Sequence, residues 1–132
     1  MPAKHNINLN NNLIITTWVG EATDNELIDA ITRYQREIKT KPDYLAYNEI
    51  VDLRKIEGIK LTTEGIKRIG QIAVKTDQAE IRTKLAIIVN SSLAYGLARM
   101  YETYRNFAPN TNKEIRVFNK ESDAHEWLEL DT

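Results

Sequence analysis

From Leu13 to Val19 the chain reads as an extended strand, with Leu13, Ile15, Thr17 and Val19 on one side and Ile14, Thr16 and Trp18 on the other. Both sides are apolar enough for a sheet covered on two faces. The stretch from Asn6 is also extended, and the Asn10-Asn11-Asn12 run between the two tolerates turn conformations, so a hairpin is predicted. Gly20 is expected to end its second strand.

The period then changes. Thr23 and Glu26 have the spacing of a capping box, and Leu27, Ile31, Tyr34 and Ile38 recur on one helical face until Pro42 closes the helix. Tyr47 to Leu53 reads as a third strand ending in Arg54-Lys55, with Gly58 in a loop after it. Thr62 or Thr63 is a plausible N-cap for a second helix, in which Ile66, Ile69, Ile72 and Ala73 share a face. Gly65 and Gly70 weaken that helix, because each costs helical stability relative to Ala.

Leu85-Ala86-Ile87-Ile88-Val89 is continuously apolar, the pattern of a strand buried on both faces, and it is expected at the centre of the sheet. Asn90-Ser91-Ser92 offers N-caps for a third helix with an apolar stripe of Leu93, Leu97, Met100, Tyr101 and Tyr104, ended by Pro109. Ile115 to Phe118 forms a last short strand, followed by a closing helix with Ala124, Trp127 and Leu128 on its apolar side. The expected fold is α/β: a mixed, mostly parallel five-stranded sheet with four helices in the order ββαβαβαβα.

Composition narrows the function classes. A length of 132 residues suits one domain over 1–132, and 42% hydrophobic with 28% charged residues excludes a disordered or fibrous chain. A net charge of -1 gives no global field toward nucleic acid or an anionic membrane. The segment from Arg54 to Lys84 is locally basic, but it lacks the interleaved aromatics that single-strand binding favours, so nucleic acid is not an expected partner.

With no cysteine there is no disulfide framework, thiolate nucleophile or zinc-thiolate site. The longest apolar run, Leu85 to Val89, is far short of the roughly 20 residues of a membrane-spanning helix. The opening Met-Pro-Ala-Lys-His-Asn lacks a secretory apolar stretch, which makes a cytoplasmic address the expectation.

Three stretches carry a family likeness: Val51-Asp52-Leu53-Arg54, then Ala94-Tyr95-Gly96-Leu97-Ala98-Arg99-Met100-Tyr101-Glu102, and Val117-Phe118 leading to Ala124-His125-Glu126-Trp127-Leu128. With the element order, they resemble the SpoIIAA-like, or STAS, fold of anti-sigma-factor antagonists, and in particular a group of small bacterial STAS-like proteins. The likeness covers nearly the whole chain after Leu13. In the signalling members an Asp-Ser-Ser-Gly-like turn opens the second helix and carries a phosphorylated serine. The matching region here reads Lys60-Leu61-Thr62-Thr63-Glu64-Gly65, without the aspartate and with threonine in place of serine.

Two readings follow. The resemblance implies a cytoplasmic, non-enzymatic module that binds a protein partner in a regulatory role, with no cofactor. Its contact surface would be the second helix start and the third helix: Arg54, Thr62, Thr63, Ser91, Ser92, Tyr95 and Arg99. Thr62 and Thr63 are either phosphate acceptors or plain N-caps. Ser91, Ser92, Tyr95 and Arg99 follow a strand's carboxyl end, where open α/β sheets bind ligands, although Arg99 with Glu102 is equally a surface ion pair. The tyrosines of the third helix, with Phe107, suggest a homodimer.

The alternative is a small-molecule or lipid-binding domain, because STAS-like sheets resemble the CRAL-TRIO architecture. An apolar cavity between the third helix and the sheet would favour it. No nucleophile-base pair or metal cluster can be assembled: His5 falls in an expected loose terminus and His125 on the closing helix. Glu49 and Asp52, three apart on a strand, face opposite sides, and Asp52 is expected to hold the turn before the second helix.

Overall fold

A computed structural model describes residues 3–76, 80–108 and 112–130. Five strands form one sheet in the order β1-β2-β3-β4-β5: Ala3–Asn8, Leu13–Thr23, Asn48–Lys60, Thr83–Ile88 and Lys113–Phe118. β1 pairs antiparallel with β2, and every later pairing is parallel. The α-helices among the described residues are α1 (Asp24–Lys39), α2 (Thr63–Ala73), α3 (Ser92–Asn106) and α4 (Glu121–Trp127), so the expected order holds.

Local signals explain most boundaries. The Asn8 side chain accepts hydrogen bonds from the N–H groups of Asn10 and Asn11, and Asn12 takes a left-handed φ of 50°, which closes the hairpin. Thr23 caps α1, accepting from the Glu26 N–H at 3.2 Å. Thr62 caps α2 and Ser91 caps α3 in the same way. α1 stops at Lys39, and Pro42 opens a 3-10 helix over Pro42–Ala46. Pro109, expected to end α3, lies outside the described residues.

Two expected strand ends are corrected. β2 continues through Gly20 to Thr23, and β3 through Gly58 to Lys60, because these halves pair with each other. Register shifts at Thr17/Val19 and Gly20/Glu21 absorb the irregularity, and Gly20 supplies the φ of +96° that one of them requires. β3 meets β4 only from Glu49 to Asp52. Its second half is therefore a two-stranded arm with β2, projecting beyond the body of the sheet.

The Leu85–Val89 run is buried on both faces as expected, every residue at 6% exposure or less. It is not the central strand: β3 occupies the middle, and β4 lies between β3 and β5. Ala86 and Ile88 join Leu13, Ile50, Ala124 and Leu128 in a core under α4. Leu85, Ile87 and Val89 join Ala94, Ala98 and Ile115 on the opposite face.

The stripe of α3 is also corrected. Leu93 and Met100 are exposed, at 58% and 39%, while Ala94, Ala98 and Arg105 are buried. Small alanines let this helix lie close to the sheet, which turns the larger side chains outward. The two glycines of α2 are explained by close approach. A Cβ on Gly65 would lie 2.0 Å from the Asp24 carboxylate oxygen, and one on Gly70 would lie 2.6 Å from the Tyr104 ring. Among the described residues no helix is long and apolar enough to cross a membrane.

Candidate functional site

α1, α2 and α3 cover one face of the sheet, and between them and the strands lies a cavity of about 210 Å³. Its walls follow from the alternation of β3. Val51 and Leu53 point toward the helices, as Ile56, Ile59 and Leu61 do farther along, and Leu27, Ile31, Ile66, Ile69 and Leu97 face them. Val51, Leu53, Ile56, Ile59 and Leu61 keep part of their surface accessible although they line this interior face. Ala94 and Arg105 of α3 both line the cavity, so it runs for about 16 Å along the helix axis.

One end of this space is polar. Tyr34, from the last turns of α1, donates its hydroxyl to Glu49 Oε1 at 2.5 Å. Lys113, the first residue of β5, donates from Nζ to Glu49 Oε2 at 2.5 Å, with 16% of each side chain exposed. The Tyr34 ring lies 4.9 Å from His5, whose Nδ1 is 2.7 Å from the Thr16 hydroxyl. Arg105, only 2% exposed, donates Nη1 to the Tyr101 hydroxyl at 2.7 Å. Gln35 donates to the carbonyl of Ile72 at 2.5 Å and fastens α1 to the end of α2 beside this cluster.

Protonation states follow from these contacts. Burial pushes the Glu49 carboxyl up, but the Lys113 ammonium and the hydrogen bonds from Lys113 and Tyr34 outweigh it, so the pKa lies below the ordinary value and the group is ionised. Burial and the neighbouring Glu49 charge push the Tyr34 hydroxyl far up, which keeps it a proton donor. Burial lowers the His5 pKa against the opposing pull of Glu37 and Glu49, which favours the neutral ring. His5 is therefore a part-buried residue of β1 and not part of a loose terminus.

The residues singled out from the sequence lie elsewhere. None of Arg54, Thr62, Thr63, Ser91, Ser92, Tyr95 or Arg99 lines the cavity. Arg54 faces α4, with Nε and Nη2 donating to the two Asp52 oxygens at 2.9 and 2.8 Å and Nη2 reaching Glu121 at 3.3 Å. Asp52 thus holds Arg54 within β3 and does not hold a turn before α2. Glu49 and Asp52 do face opposite sides, one toward the cavity and one toward α4.

Thr62 is bound twice by Asp24, and exposed Thr63 opens α2. Ser91 caps α3 beside exposed Ser92. Arg99 stacks over Tyr95 at 6.0 Å and pairs with Glu102 at 3.1 Å. Arg54 lies near the end of β4, where the Asn90 side chain donates to its carbonyl at 3.2 Å, whereas Thr62 and Thr63 follow the end of β3; hydrogen bonds and ion pairs within the fold already occupy most of these groups.

The cavity cluster escaped the sequence because β1, α1, β3, α3 and β5 each supply one or two members. Its only local signals are a carboxylate beside Ile50 in an apolar strand and Arg105 near the end of an amphipathic helix.

No family model and no curated protein matches the chain. Among solved structures it is similar to an uncharacterized protein of the DUF3478 family with a SpoIIAA-like fold from Shewanella loihica PV-4, at 15% identity and a TM-score of 0.57. The superposition covers 96% of this chain and 91% of that one. The chain therefore has a SpoIIAA-like fold, as its element order and motifs suggested.

Proposed function

We propose that this SpoIIAA-like chain is a non-enzymatic binding module that holds a slender apolar molecule between its sheet and the α1–α2–α3 layer. The carrying observation is the cavity of about 210 Å³ with walls of Val, Leu and Ile side chains and a single polar end. An apolar cavity of about 150 Å³ already admits benzene, whereas sites for drug-sized ligands span about 300–1,000 Å³. A long, narrow space of intermediate volume suits a single chain better than a fused ring system. Apolar surface left accessible in an interior supplies the driving force, at roughly 25 cal/mol per Å² removed from water.

Trp18 provides the test. It lines the cavity at 2% exposure, while Trp127 lies on the α4 side, packed on Phe118. In a Trp127→Phe variant, titration with a medium-chain amphiphile is expected to shift Trp18 emission saturably. The added substitution Leu97→Trp, which fills the space, is expected to abolish binding. Unchanged Trp18 emission across the titration would contradict the proposal.

A second reading, a protein contact through α3, is supported by exposed Leu93, Met100 and Phe107, at 58%, 39% and 84%. Their seven-residue spacing places them along one side of the helix, the kind of stripe that packs against another helix. It requires no cavity, and the two readings are compatible in one molecule.

A further inference from the structure

We infer that the outward side of α3 receives an acidic amphipathic helix of a protein partner, seated along Leu93, Met100 and Phe107 beside the cations of α2. This rests on the second reading, a contact through α3, and is independent of the cavity. Gly96 and Thr103, both exposed, lie between the three apolar residues, so this side of the helix alternates large and small at steps of three and four residues over about 21 Å. Nothing within the chain calls for glycine at position 96. Its backbone is helical, and a Cβ there would meet no packed neighbour within 4 Å, unlike one at Gly65 or Gly70. Glycine costs stability in a helix interior, and the close approach of a second backbone between Leu93 and Met100 accounts for it.

Charge selects the partner. α2 and α3 each join neighbouring parallel strands across one face, so they run in the same direction, with Gly70 against Tyr104. Lys67, one turn before Gly70, therefore stands level with Met100, one turn before Tyr104. α2 carries Lys67 and Arg68 against Glu64 alone, and Lys75 follows it. Lys67 and Lys75 are exposed, and among the described residues neither is in an ion pair. Arg99, on the other flank of α3, is shared with Glu102 at 3.1 Å. A helix with carboxylates beside its apolar stripe matches these cations, whereas a second copy of this chain would bring Lys67 and Arg99 of two layers together. An anionic bilayer would also match the charges, but it gives no reason for the notch at Gly96.

Fluorescence anisotropy of the full chain with two labelled synthetic helices compares charge on one apolar stripe: leucine at every a and d position, with glutamate or with lysine at the flanking positions. At low salt the glutamate helix is expected to bind about tenfold more tightly, the scale of a few exposed ion pairs gained instead of opposed. Lys67→Glu is expected to narrow that gap. Gly96→Ala is expected to raise the melting temperature of the chain while weakening the glutamate helix about tenfold. Equal binding of the two helices, or an affinity untouched by Gly96→Ala, would overturn the inference and leave the α3 contact standing. Binding of neither would overturn both. The inference also falls if light scattering without peptide gives a mass above 15.2 kDa that Phe107→Glu restores, which assigns the surface to a second copy. Sedimentation with phosphatidylserine vesicles that Phe107→Glu abolishes, with neither helix bound, would assign it to a bilayer instead.

Discussion

Thr62 donates its hydroxyl to Asp24 Oδ2 at 2.6 Å, and its backbone N–H donates to Oδ1 at 3.0 Å. One carboxylate at the start of α1 thereby fastens the first turn of α2, just beyond the paired ends of β2 and β3. Removing it with Asp24→Ala is expected to cost about 1–2 kcal/mol, two partly exposed hydrogen bonds, in urea denaturation. Thr62→Ala is expected to cost about as much, since it removes both the bond to Asp24 and the cap.

Gly65 belongs to the same arrangement. Because its Cβ would fall 2.0 Å from an Asp24 oxygen, Gly65→Ala forces the carboxylate out of place and is expected to destabilise, despite a helix preference of about 1 kcal/mol for Ala. With Asp24→Ala present the obstruction is gone, and Gly65→Ala should become neutral or stabilising. A double-mutant cycle in urea measures this sign change, and additive effects would refute the packing argument.

Gly70 sets the spacing of α2 and α3 against Tyr104. An aromatic ring 2.6 Å from a new Cβ is harder to move than a flexible chain end, so Gly70→Ala is expected to cost about 1–3 kcal/mol through overpacking. Tyr104→Leu in the same molecule should recover part of that loss, as measured by thermal denaturation.

Acidification should weaken the fold in two stages. His5 has a folded pKa below its ordinary 6.5, so its neutral form is favoured by folding. Its contribution is complete above 6.5 and declines as pH falls toward the folded value. Glu49 and Asp52 lie below their ordinary 4.5 and 3.8, and their contributions are lost as pH falls further through the folded values. In urea midpoints measured against pH, His5→Gln is expected to flatten the slope between about pH 7 and pH 5, and Glu49→Gln the slope below it. Unaltered slopes would show that these groups are solvated in the folded chain.

The outward stripe of α3 gives a separate expectation. If Leu93, Met100 and Phe107 form a self-contact, light scattering at micromolar concentration should give a mass above the 15.2 kDa of one chain, and Phe107→Glu should restore that value. A mass of 15.2 kDa for the unsubstituted chain would remove the homodimer.

The elements were legible where chemistry is local. The Thr23 and Glu26 capping box, the Asn10–Asn12 turn and the uninterrupted Leu85–Val89 run each state their structure within a few residues. Gly20 and Gly58 misled because glycine ordinarily interrupts strands, whereas here each lies in a strand half whose partner is the other's. The stripe of α3 misled because alanine carries little weight in a hydrophobic pattern, although Ala94 and Ala98 are what allow the helix to approach. Glu49 and Lys113 are 64 residues apart, so no spacing rule could join them. The cavity they help line exists only once the sheet is assembled.

Methyl-resolved NMR during titration with a medium-chain amphiphile reads occupancy of the cavity residue by residue. Saturable shifts are expected at Val51, Leu53, Ile59, Ile66 and Leu97, with Leu13, Ile50, Ile88 and Leu128 on the α4 side left near their starting positions. Shifts confined to the α4 side, or none at saturating ligand, would contradict a binding site between the sheet and its three-helix layer.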